Sequence, residues 1–151
     1  MADTFNHRVQ KLSPEGLPCL EIADAGGWGP LREPVAVALD AAECLFVADR
    51  EANRVLKFSA EGVPLRCWPA PGERSDLFDR PRDVRVGRDG SVYVGDRDNL
   101  RLHHFAASGA RLGSIALDTD PACEAGCFIL VDEYAVIPDR MNDRLLCVAF
   151  A

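Results

Sequence analysis

Apolar and polar residues alternate along this chain in short bursts, each closed by turn-forming residues. Asp83–Val86, Ser91–Gly95, Arg101–Phe105 and Arg111–Ile115 are rich in Val, Leu, Phe and Tyr. Between them lie GRDG at Gly87–Gly90, DRDN at Asp96–Asn99 and AASG at Ala106–Gly109. The pattern predicts four short antiparallel strands joined by hairpins. No window sustains a helical period, so the expected fold class is all-β.

The pattern repeats. Leu31–Trp68 laid over Phe78–Ile115 without a gap matches at 10 of 38 positions, and Ala2–Pro18 over Ala48–Pro64 at nine of 17. An Asp-x4-Arg element occurs four times: Asp3/Arg8, Asp49/Arg54, Asp96/Arg101 and Asp139/Arg144. The Asp residues are spaced 46, 47 and 43 apart, and each Arg has an Asn one or two residues before it. Four strands per unit, recurring with a near-constant period, is the pattern of a β-propeller blade. Residues 1–30 are read as the end of one blade, 31–76 and 77–120 as two full blades, and 121–151 as a partial blade. The chain is then a half-ring of about three blades in a single domain.

A position that recurs in every blade belongs to the blade before it belongs to a unique site. The four Asp and four Arg are therefore assigned a structural role. The Asp is expected to accept bonds from the backbone N–H groups that follow it, and the Asn to adopt a positive φ. The Arg is expected to pair with an Asp of its own or the next blade.

Composition narrows the function. The net charge is −7 over 151 residues, which disfavours general affinity for nucleic-acid phosphates. Arg-rich Arg74–Arg111 is interleaved with Asp, so its local charge is near balance. No apolar run is long enough for a spanning helix. The first residues show no secretory signal, which favours a cytoplasmic, reducing setting. Of the six cysteines, Cys44, Cys67 and Cys147 lie in strand-like stretches and read as small buried hydrophobes. Cys123 and Cys127 lack the further ligands of a structural zinc site.

Ala2–Gly16 (ADTFNHRVQKLSPEG) resembles the core of the NHL repeat, a family named for an Asn-His-Leu motif. Asn6, His7 and Arg8 sit where that family carries its Asn-His-Arg/Leu stretch. Leu31–Gly62 and Phe78–Gly109 resemble two complete repeats. The resemblance weakens between Asp118 and Asp132. It implies a six-bladed propeller and a platform for proteins, in some members RNA. Six-bladed relatives also include amidating lyases and sugar lactonases that hold a divalent metal in the funnel.

The expected function is a non-catalytic, protein-binding scaffold with no cofactor. Its specificity is expected in the loops that interrupt the repeat, Pro69–Asp76 and Asp118–Gly126, with Arg74, Arg82 and Asp83 as candidate binding residues. The alternative is a segment of a metal-dependent lyase-like or lactonase-like propeller. His103 and His104 are adjacent in one strand and point to opposite faces, so both cannot line one funnel. Asp83 alone is a poor metal site. Three and a third blades leave two open flanks, which a homodimer completing a six-bladed ring would cover. A longer chain would serve equally, and a partner protein that carries the rest ranks third.

Overall fold

In a computed structural model, residues 1–70, 77–117, 127–131, 134–139 and 142–150 are described. Their strands form four antiparallel sheets, and among these residues the only helical turns are three short 3-10 segments. Sheet one holds β1 (Ala2–Asp3), β2 (Arg8–Leu12) and β3 (Pro18–Ile22). Sheet two holds β4 (Pro34–Leu39), β5 (Leu45–Asp49), β6 (Arg54–Phe58) and β7 (Pro64–Trp68). Sheet three holds β8 (Pro81–Val86), β9 (Val92–Asp96), β10 (Arg101–Phe105) and β11 (Arg111–Ala116). Sheet four holds β12 (Ile129–Val131), β13 (Tyr134–Asp139) and β14 (Arg144–Ala149). Each sheet follows chain order, so every connection within it is a hairpin. The sheets are called blades one to four below.

The predicted strands of the third blade differ from the observed ones by no more than two residues at any end. At the N-terminus, read as the end of one blade, the chain enters that blade before its third strand. Ala2 and Asp3 pair with Val9 and Arg8, as Ala48 and Asp49 pair with Val55 and Arg54. They are the last two residues of the blade's second strand.

Turn chemistry explains the periodicity. Gly16, Gly62 and Gly109 close the hairpins between third and fourth strands at φ 82°, 84° and 83°. Only glycine adopts that backbone without strain. In each hairpin the ladder then slips by one residue, at Lys11/Leu12, Lys57/Phe58 and His104/Phe105. A second bulge recurs where the innermost strand begins, at Val35 in β4 and Arg82 in β8. An extra residue there twists the strand and re-aims its side chains.

Three apolar seams bind the blades. Val9 and Ile22 of blade one pack with Val47, Leu56 and Phe58 of blade two. Phe46, Val55 and Trp68 of blade two pack with Phe78, Val84, Val92 and Phe105 of blade three. Tyr93 and Leu102 of blade three pack with Phe128, Ala135 and Ile137 of blade four. The central strands of blades two and three are therefore apolar on both faces, as sheets covered on both sides require. The middle seam is the most aromatic: Trp68 lies 6.2 Å from Phe46 and 6.0 Å from Phe105, and its indole N–H donates to the Gly109 carbonyl at 2.9 Å.

Cys67 is buried as expected, and burial pushes its thiol up. Cys147 is exposed, against expectation: among the described residues no sheet covers its side of blade four. Cys123 lies outside the described residues.

Candidate functional site

Antiparallel order sends two kinds of connection to one end of the blades: the turns between second and third strands, and the linkers between blades. The other end carries the remaining hairpins. The first end is called here the linker end; the loops expected to carry specificity are Pro69–Asp76 and Asp118–Gly126. Residues 71–76 and 118–126 of those loops, Arg74 included, lie outside the described residues.

The repeated Asp residues build this end. Asp49 is fully buried at the tip of β5. Its Oδ1 accepts the N–H groups of Arg32 and Glu33 at 3.0 and 2.7 Å, and its Oδ2 accepts Arg54 Nε at 2.9 Å. Arg54 also reaches the Trp28 and Pro30 carbonyls. One carboxylate thus ties the incoming linker, the strand end and the next strand together. The expected bonds to the following N–H groups are not made at Asp3 or Asp49. The antiparallel partner strand brings the linker's N–H groups within reach of Asp49 instead.

The other blades vary the theme. Asp3 accepts Asn6, Arg8 and Gln10, and Asp139 accepts Asn142 and Arg144. These donors hold both carboxyls below the usual carboxylate range, Arg8 and Arg144 contributing most. In blade three Arg101 turns to Ser114 Oγ at 3.3 Å. Asp96 is held instead by the Asp79 N–H, by Asn99 at 2.9 Å and by His103 Nε2 at 3.1 Å.

The Asn residues divide by spacing. Asn6, Asn99 and Asn142 stand two before the Arg and donate to their own Asp. Asn53 stands one before it and is the only one of the four with a positive φ, 50°. The same turn position holds His7, Leu100 and Asp143 in the other blades, all left-handed. Two of these residues reach the next blade. His7 Nδ1 contacts the Arg32 carbonyl, and Asn53 Oδ1 accepts the Arg80 N–H at 2.8 Å.

On this frame sits a mosaic of charge. Arg50 forks onto Glu33, which holds the Glu33 carboxyl below its ordinary range. Arg80 lies between Glu51 of blade two at 3.4 Å and Asp98 of blade three at 3.8 Å. Arg97 approaches Asp98 from the other side at 3.9 Å. Phe5, at the position of Glu51 and Asp98 one and two blades on, is 93% exposed. The candidate list omitted Arg80, Glu51 and Glu33. Their signal was present, since Glu33 and Arg80 occupy one repeat position and Arg50 and Arg97 another.

Arg82 is the half-buried bulge residue beside the start of β8. Asp83 points elsewhere. It is 5% exposed, accepts the Phe128 N–H of blade four at 3.2 Å and pairs with Arg85 at 3.0 Å. Burial pushes its carboxyl up, and Arg85 offsets part of that. Asp83 therefore straps blade three to blade four. His103 and His104 do face opposite sides. His103 packs against Phe78, and His104 stacks on Tyr93 at 4.5 Å, where burial lowers its basicity. Among the described residues no three His, Cys, Asp or Glu gather where they could hold a metal ion.

Four stacked antiparallel blades with inter-blade linkers at one end define a β-propeller segment. Residues 78–105 match the family model of the NHL repeat. Solved structures agree on the fold. A streptogramin B lyase is similar over 95% of this chain and 45% of its own, with TM-score 0.68 and 15% identity. Virginiamycin B lyase from Staphylococcus aureus is similar over 96% and 49%, with TM-score 0.62 and 12% identity. Hydrazine synthase from Kuenenia stuttgartiensis is similar over 95% and 44%, with TM-score 0.60 and 13% identity. The chain spans less than half the length of each.

Proposed function

We propose that the linker end is a recognition surface for a partner protein, carried by blades that act as a non-catalytic scaffold. The observation that carries this reading is the Arg80 network. It places both signs of charge on loops from two blades, anchored by buried carboxylates. A fixed mosaic of alternating charge suits a protein surface of complementary pattern, whereas a polyanion calls for segregated positive charge. Phe5 adds an exposed aromatic at the same end, and aromatics and Arg dominate binding energy at protein interfaces.

The test is affinity capture with the wild-type chain and with Arg80→Glu/Arg97→Glu. A partner held by the wild type and lost by the variant supports the reading. Equal retention, or no partner, overturns it. The enzyme alternative draws on the lyases among the similar folds, whose likeness is one of fold. His103 and His104 are engaged inside blade seams, so a metal site on that reading takes its ligands from elsewhere in a longer ring. A stoichiometric divalent ion retained through dialysis would favour that alternative.

A further inference from the structure

A basic side chain stands in the seam between blades three and four without an ion-pair partner. His104 of β10 lies nearly parallel to Tyr93 of β9, with ring centroids 4.5 Å apart and 7° between the planes. Phe150, which follows β14 in blade four, closes on both rings, 4.3 Å from Tyr93 and 5.4 Å from His104. Three rings from three stretches of chain thus form one aromatic cluster across the seam. Nε2 of His104 is buried and has no hydrogen-bond partner.

Blade two shows the same place holding a permanent cation. Lys57 occupies the repeat position of His104, and Phe46 that of Tyr93. The Lys57 ammonium lies 4.8 Å from the Phe46 ring centre and 3.0 Å from the Asp40 carboxylate. The position of Asp40 is Gly87 in blade three, so that counter-ion is missing. Asp89, two residues on, attracts a charge on His104. Its oxygens, however, already accept the Ser91 N–H at 3.0 Å and the Ser91 hydroxyl at 2.7 Å. The other elements packed on the ring bring no charge. Tyr93 keeps its proton, since burial raises its pKa, β11 places Gly113 opposite His104, and blade four presents Phe150. Blade three has kept the ring under the basic group and lost the ion pair.

We propose that His104 is an acid-sensitive latch between blades three and four: the neutral imidazole packs Phe150 and Tyr93 together, and a proton on it loosens blade four from blade three. Protonation makes Nε2 a donor that faces no acceptor and puts an unpaired charge into an apolar seam, which is costly. Burial accordingly lowers the basicity of His104, and Asp89 offsets part of that. A basic group of lowered pKa stabilises the fold above the ordinary imidazole range, and that contribution is lost as pH falls through the lowered value. Asp83 of the same seam runs the other way, because its raised pKa favours the fold in acid.

The experiment is hydrogen exchange on the 151-residue chain from pH 8 to pH 4, read as amide protection factors, with the His104 ring protons followed by NMR. β13 of blade four should lose protection relative to β5 of blade two over the pH range in which the His104 ring titrates, because a weakened seam opens locally. His104→Phe keeps an aromatic ring in place and removes the titrating group, so its β13 should track β5 throughout. The same relative loss in His104→Phe overturns the latch, as does an equal loss in β5 and β13 of the wild type. A ring that titrates while β13 holds, or that takes up no proton in this range, overturns it as well.

Discussion

Blades two and three are copies of one sequence template, yet they hold their buried carboxylate differently. In blade two Asp49 is paired with Arg54, which is fixed in turn by two carbonyls of the preceding linker. In blade three Arg101 leaves, and Asp96 is held by a backbone N–H, an amide and an imidazole. The same Asp and Arg letters therefore stand for two different structures. The two blades differ at the third-strand position seven residues after the Asp. It is Leu56 in blade two, and in blade three it is His103, which can donate.

Removing the carboxylates separates the two blades most sharply. Asp49→Ala leaves Arg54 in a largely buried site without its counter-ion and should cost about 3–5 kcal/mol, the range for breaking a buried pair. Asp96→Ala orphans mainly neutral donors and should cost about 1–3 kcal/mol. Urea unfolding of both variants checks this, and equal losses would refute the distinction.

Acidity separates the blades next, with opposite signs. The Asp83 pKa is raised in the fold. Its favourable contribution is therefore present below the ordinary carboxylate range and is lost as pH rises through the raised value. Asp83→Asn keeps the acceptor for Phe128 and does not ionise, so its melting temperature should gain on the wild type as pH rises. The Glu33 pKa is lowered, so its contribution is present above the ordinary glutamate range and is lost as pH falls through the lowered value. Glu33→Gln should accordingly melt below the wild type at neutral pH and converge with it in acid. Melting curves from pH 3 to pH 8 test both, and parallel profiles would contradict the assignment.

Blade one supplies a finer test. Gln10 donates to Asp3 at 3.0 Å from the position that His103 occupies in blade three. His103→Gln should preserve the Asp96 bond and cost under about 1 kcal/mol, near the net worth of one hydrogen bond. A loss above twice that would mean the ring's packing against Phe78, not its bond, is what blade three needs.

The smallest effect is expected in the first hairpin of blade two. Glu43 adopts φ 59° where blade three places Gly90 at 82°. A left-handed non-glycine residue is strained by roughly 1–2 kcal/mol, partly offset by glycine's flexibility when unfolded. Glu43→Gly should raise stability by up to about 1 kcal/mol. Its ion pair with Lys11 spans 4.0 Å between exposed groups and contributes little. Thermal melting decides this, and a lower midpoint would show that the turn is not strained.

The strands, their hairpins and the stacking of blades were legible in the residue order because each rests on local chemistry. Alternation sets which face is apolar, and glycine marks the turns that need positive φ. A match at a period of about 47 residues copies those local rules from blade to blade. The roles of the recurring side chains were not legible. Whether an Asp meets a following N–H or a linker sixteen residues earlier depends on which strand lies beside it. Asp83 reads like a lone funnel carboxylate until blade four brings the Phe128 N–H against it. The Arg80 network draws on two blades, and no single repeat contains it. Sequence alone thus determined the blade, because hydrogen-bonded turns and side-chain alternation act over a few residues. Tertiary structure decided what each polar group holds and which apolar faces meet, because those depend on surfaces brought together from distant parts of the chain.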